Sequence, residues 1–179
     1  MSRVSGVLIA LAIVVITANA NAQAKPDFTG RWVIPQTTAD SGRGGAPRGS
    51  VGSVGSGWGS DITIAQDSQR LTVEYVFFGR GDMQPPLKFV YALDGTETRN
   101  RVMMGRGIED RASKAVWDGN RFVITTTFAF PDPVTGKPTS TEMKQVLSLE
   151  SPTALVVETT RSGFMGGAPA TTKTVYNKM

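Results

Sequence analysis

The chain contains neither cysteine nor histidine. Without cysteine there are no disulfides, thiolate nucleophiles, iron–sulfur clusters, Cys-ligated zinc sites or lipid anchors on an N-terminal Cys. Without histidine there is no Ser-His-Asp triad, no imidazole general base, no His-ligated zinc or copper and no proximal haem ligand. No apolar run approaches the roughly 20 residues of a membrane-spanning helix. No stretch carries a sustained 3.6-residue apolar stripe. The formal net charge is only +4 over 179 residues. Basic residues form no dense cluster, Arg43 and Arg48 being the nearest thing to a basic loop, so no nucleic-acid footprint is read. No catalytic residue, metal site or cofactor is expected.

What is present begins with a three-part leader. Arg3 supplies a positive start. Residues 7–16 are an unbroken apolar run, and small residues follow with three overlapping Ala-x-Ala sites, Ala18-Asn19-Ala20, Ala20-Asn21-Ala22 and Ala22-Gln23-Ala24. This is the layout of a cleaved secretory signal over residues 1–24. The apolar run is too short to span a bilayer, and a retained N-terminal anchor is the alternative. Cleavage near Ala24 leaves residues 25–179 as one domain. A body of about 150 residues buries about 68–70% of its unfolded surface, enough for a core without staples. A cysteine-free exported chain fits a bacterial periplasm or the extracellular space.

The body has β texture throughout. Val, Ile, Thr, Tyr and Phe alternate with polar residues in short runs separated by turn signals. A first strand covers 28–34 and is ended by Pro35. A Gly/Ser-rich segment over about 36–60 buries too little apolar surface to offset its ordering entropy and reads as a flexible loop. Further strands follow. One places Ile62 with Ile64. The next places Leu71, Val73, Tyr75 and Phe77 on one face, and the one after it Leu87, Phe89, Tyr91 and Leu93. Others span 97–104 and 111–117. Then come the strand that aligns Phe122, Ile124, Thr126, Phe128 and Phe130, and the one that aligns Met143, Gln145, Leu147 and Leu149. Strands at 154–161 and 171–177 close the chain. Asp94-Gly95 and Asp118-Gly119 are hairpin turns. Short sequential connections imply an all-β, up-and-down antiparallel meander of about 8–10 strands. Closure into a barrel removes the two open edges, and a barrel of this size has room for one small ligand. A sandwich is the competing architecture.

The opening Asp27-Phe28-Thr29-Gly30-Arg31-Trp32 resembles the Gly-x-Trp start of lipocalin-like (calycin-type) barrels. It is closer still to small exported bacterial proteins that begin with this motif and continue as a meander. The hairpin Ala115-Val116-Trp117-Asp118-Gly119-Asn120-Arg121-Phe122-Val123-Ile124-Thr125 is similar to one those proteins carry mid-chain. The resemblance implies a lipocalin-like barrel in which Trp32 closes the base. It implies that Arg161, at the end of a late strand, packs over that Trp, and that residues 36–60 occupy the position of the lid. The chain departs from lipocalins in lacking a helix pattern before its last strand and in having a Gly-rich segment at the lid.

Facing inward, Tyr75, Tyr91, Thr126, Phe128 and Gln145 would line a largely apolar pocket with a few placed polar groups, and Trp58 would reach it from the Gly-rich loop. The bland alternative is a solid core whose hydroxyls and amide are satisfied by neighbours. Glu97, Arg99 and Arg101 share one side of their strand and read as a solvated face, with Val102 and Met104 turned to the core. Arg80-Gly81-Asp82 is a short adhesion-like tripeptide that recurs by chance. Gly52 to Gly57 lacks the strand-then-helix setting of a phosphate-binding loop. The acids, Asp132 and Glu142 among them, show no pairing across a cleft. The expected function is that of an exported, non-enzymatic barrel that binds or carries a small apolar or amphipathic molecule. The alternative is an envelope module with a solid core that acts through its loops; an enzyme using carboxylate, Tyr or Arg is the third reading.

Overall fold

The computed structural model describes residues 24–35, 61–75, 87–104, 107–131, 135–162 and 168–179. Residues 1–23, which hold nearly all of the expected leader, residues 36–60 with Trp58, and residues 76–86 with the Arg80-Gly81-Asp82 tripeptide lie outside them. Ten strands run in chain order: β1 Gly30–Val33, β2 Ile62–Gln66, β3 Arg70–Tyr75, β4 Leu87–Ala92, β5 Thr98–Met104, β6 Gly107–Asp118, β7 Arg121–Pro131, β8 Pro138–Ser151, β9 Ala154–Arg161 and β10 Ala170–Lys178. Every pairing is antiparallel, and the sheet order is β4-β3-β2-β1-β10-β9-β8-β7-β6-β5. The first strand therefore meets the last: Trp32 lies opposite Lys178 and Val33 opposite Asn177. The fold is an up-and-down meander curled into a nearly closed barrel.

Among the described residues, the ladder breaks between β4 and β5, which are neighbours in sequence. A side chain bridges it. Asn100 of β5 donates from Nδ2 to the Val90 carbonyl at 3.1 Å, and its Oδ1 accepts from the Val90 N–H at 2.7 Å. The amide of Asn100 thus stands in for the peptide group that a paired strand would offer. It is buried, at 5% exposure. Two edges that would otherwise be open are joined by one residue.

Up-and-down order places alternate connections at opposite ends. At one end the turns are tight. Gly95 has φ +85° in the β4–β5 turn, the left-handed region that glycine tolerates. Asp67 Oδ1 accepts the Gln69 and Arg70 N–H groups, both at 2.7 Å, and Asp94 Oδ1 accepts that of Thr96 at 2.9 Å. At the other end the connections include the long segments 34–61, 76–86 and 162–169. The two ends are called here the tight-turn end and the long-loop end.

The tight-turn end is plugged with apolar side chains. The chain enters beneath the barrel, where Phe28 stacks on Trp117 with ring centroids 5.9 Å apart, and Trp117 packs against Phe122 at 5.0 Å. Trp32 is fully buried, and its indole N–H donates to the Phe28 carbonyl at 2.8 Å. Leu155, Leu147, Val157 and Tyr176 are likewise fully buried. Gly30 of the Gly-x-Trp motif has φ +151°, and a Cβ there would come within 2.5 Å of the Lys178 side chain. Lys178 in turn places its ammonium 5.4 Å from the Trp32 ring centroid. The glycine is required by backbone conformation first, and by the lysine stem crossing it second.

Candidate functional site

Strand registers arrange the inward residues of β6 to β9 in rungs, and the rungs change character along the barrel axis. Nearest the tight turns, Trp117 lies opposite Phe122, then Ala115 opposite Ile124. On the neighbouring hairpin Leu149 lies opposite Leu155, then Leu147 opposite Val157. The next rungs toward the long loops are polar. Ser113 faces Thr126 and, one rung on by the same register, Arg111 stands beside Phe128; Gln145 faces Thr159 and Met143 faces Arg161. The strands keep their alternation; only the chemistry of the inward side changes.

This polar wall is buried. Arg111 is 4% exposed, and Ser113, Thr126, Gln145 and Thr159 are buried as well. The Ser113 and Thr126 hydroxyls pair at 2.9 Å. The Arg111 guanidinium carbon lies 4.7 Å from the Phe128 ring centroid, a cation–π contact that holds the guanidinium against the ring. Arg161 is half-buried. Burial lowers its pKa below the ordinary guanidinium value, and the charge of Arg111 lowers it further. Gln145 is fully buried; its Nε2 donates to Met143 Sδ at 3.6 Å, and its Oε1 has no hydrogen-bond partner. An orphaned buried carbonyl oxygen costs about 1–3 kcal/mol.

The residues expected to line a pocket separate into groups. Thr126, Phe128 and Gln145 come together in the polar wall. Tyr91 does not join them. It is buried in the apolar plug, opposite Leu71 and stacked with Phe89 at 6.4 Å. Tyr75 takes its expected place in β3, opposite Ile62 and Leu87; its side chain lies outside the described residues, as does Trp58. Trp32 is buried within the plug. Arg161 does not pack over it: Arg161 pairs with Ala170 and Trp32 with Lys178, eight positions apart along β10. Lys178 covers Trp32 instead, because the C-terminal strand, rather than a late β9 residue, reaches the tight-turn end beside β1.

Three members of the wall escape a search for apolar alternation: Arg111, Ser113 and Thr159. A usable signal exists. Each has the same parity as apolar residues further along its own strand, Ala115 and Trp117 in β6 and Leu155 and Val157 in β9. Glu97, Arg99 and Arg101 form the solvated face expected of them, with Arg99 and Arg101 engaged by Glu97 at 3.7 Å and Asp110 at 3.5 Å.

A groove of about 1100 Å³ opens beside the β4–β5 break near the tight turns, away from the polar wall. Its walls include Lys25, Asp67, Gln69, Arg70, Asp94 and Trp117. The acids there are occupied in holding turns, and the groove is open to solvent. Its composition is that of a turn cluster rather than a built pocket. Among the described residues no three Asp or Glu side chains gather so as to hold a metal ion, and no helix is long and apolar enough to cross a membrane.

Comparison of the chain with family models, with curated proteins and with solved structures returns no match.

Proposed function

We propose that the protein is an exported, non-enzymatic carrier or binding protein that takes a small amphipathic molecule into the long-loop half of its barrel. The observation behind this reading is the buried Gln145, whose side-chain oxygen goes unpartnered in a wall that also holds Arg111, Ser113, Thr126 and Thr159. A core that served stability alone would fill those positions with apolar side chains, as the other half of the same strands does. Phe128 and Met143 supply apolar contact beside the polar groups, the mixture typical of small-molecule sites.

The test is direct titration of the folded protein with the neutral fluorophore N-phenyl-1-naphthylamine and its sulfonated counterpart 8-anilinonaphthalene-1-sulfonate, with near-UV circular dichroism recorded throughout. Saturable uptake at one site with the native spectrum retained supports the reading. No uptake of either dye opposes it. That result would favour an envelope module acting through its loops.

A further inference from the structure

We propose that the seam between β4 and β5 is a side port, latched by Asn100, through which the guest passes between solvent and the polar wall. This rests on the binding reading above and adds the route to it. The sheet order ends at β4 on one side and at β5 on the other, so among the described residues no backbone ladder joins them. The Asn100 amide holds them instead, with Nδ2 on the Val90 carbonyl at 3.1 Å and Oδ1 on the Val90 N–H at 2.7 Å. Two hydrogen bonds, each exchanged for one to water on opening, hold the open seam down by about tenfold to a hundredfold in population.

The neighbouring boundaries are held more firmly. β5 pairs with β6 from Thr98–Ser113 to Met104–Gly107, and β3 with β4 from Arg70–Ala92 to Tyr75–Leu87. Parting either breaks several ladder bonds at once. The short β1–β10 pairing is backed by the fully buried Trp32, with Lys178 across its ring.

Position is the second argument. The solvent-open groove ends at the seam, with Val90 and Asn100 both in its wall. On the inner side, Asn100 lies opposite Arg111 and Thr98 opposite Ser113 in the β5–β6 register, so the latch stands one strand from the polar rungs. The tight-turn end offers no such route, because Phe28, Trp32 and Trp117 fill it. A latch made of hydrogen bonds passes them to water as it opens, whereas an apolar closure would expose its own surface.

Stopped-flow mixing with N-phenyl-1-naphthylamine tests the route. Asn100→Ala should raise the dye's association and dissociation rates together, each by about tenfold or more, and leave its Kd within about threefold, because the latch favours the closed barrel equally with and without guest. Ile124→Val, which removes a methylene from the continuous sheet, should change either rate by less than about twofold. Unchanged rates in Asn100→Ala overturn the port, and so does an equal acceleration in Ile124→Val. A second arm needs no variant and no guest. In the dye-free unmodified protein, amide exchange at Val90 should respond weakly to low urea and exchange at Ile124 steeply, the mark of local opening against global unfolding. Equal urea dependence at both residues overturns the port even where the dye binds. Uptake of neither dye fails the binding reading and takes the passage with it; the exchange arm then shows whether the seam itself opens, so the two failures are distinct.

Discussion

The two halves of this barrel are built from the same strands and do opposite things with them. In β6 to β9 the residues next to the tight turns, Trp117, Phe122, Ile124, Leu147, Leu155 and Val157, fill the interior with little exposed surface. Two rungs further along the same strands the inward residues are Ser113, Thr126, Gln145, Thr159 and, beyond them, Arg111 and Arg161. The same four strands run through both halves. The difference teaches that alternation fixes which way a side chain points, whereas the identity of the inward residue decides whether that segment of the interior is apolar or polar.

The contrast breaks most visibly in the plug. Leu155→Ala and Phe122→Ala, each at a fully buried position, should cost about 3–5 kcal/mol of unfolding free energy from lost burial and the cavity left behind. Urea unfolding followed by circular dichroism measures this. A loss under 1 kcal/mol at both positions would mean that the plug is not the source of stability.

At the break in the sheet, Asn100→Ala should cost about 1–3 kcal/mol, because it leaves the Val90 N–H and carbonyl unsatisfied. Amide exchange at Val90 should accelerate more than exchange at Ile124 in the middle of the continuous sheet. Equal acceleration at both would show that Asn100 supports the whole fold rather than the β4–β5 edge.

In the polar wall the sign reverses. Gln145→Met keeps the volume and removes the unpartnered oxygen, and it should raise stability by about 1 kcal/mol. The same change should weaken dye uptake. If stability falls instead, Gln145 is a structural residue.

The smallest effect is one of pH and belongs to the tight-turn end. Asp27 is held below its ordinary pKa of 3.8 by the Thr29 hydroxyl and then the Thr29 N–H; Asp67 by the N–H groups of Gln69 and Arg70; Asp94 by the N–H and hydroxyl of Thr96. The folded values are depressed, so their contribution is fully present above 3.8 and is lost as pH falls through the lower folded values. The melting temperature should be level from pH 6 to about 4 and decline below that. Asp67→Asn should flatten part of the decline. A decline that begins well above pH 4 would point to other groups.

Much of the fold is legible in the sequence because its signals are local. Period-two alternation placed Ile62 with Ile64, Leu71 with Val73, and Phe122 with Ile124 on the inward face. Asp94-Gly95 and Asp118-Gly119 mark turns that the backbone adopts. Short connections imply sequential pairing, and the meeting of β1 with β10 follows from closing that order on itself. The break at β4–β5 is not legible: Asp94-Gly95 signals a hairpin, and nothing local says that a side chain at Asn100 will replace the ladder. The candidate site was half legible. Thr126, Phe128 and Gln145 sit among apolar residues and stand out. Arg111 does not, because a buried arginine contradicts the rule that charges face water, and Arg161 is singled out only for a place over Trp32. Strand parity alone points them inward. Tyr91 was misplaced for a related reason: parity fixes the face but not the height along the barrel, and height separates plug from wall.

The most direct measurement is a crystal structure of the protein with 8-anilinonaphthalene-1-sulfonate bound. The dye is expected inside the barrel, with its rings against Phe128 and beside the buried Gln145 amide. A sulfonate on the outer surface or in the groove beside Lys25 and Arg70, with the interior unchanged, would contradict the division of the barrel into a packed half and a binding half.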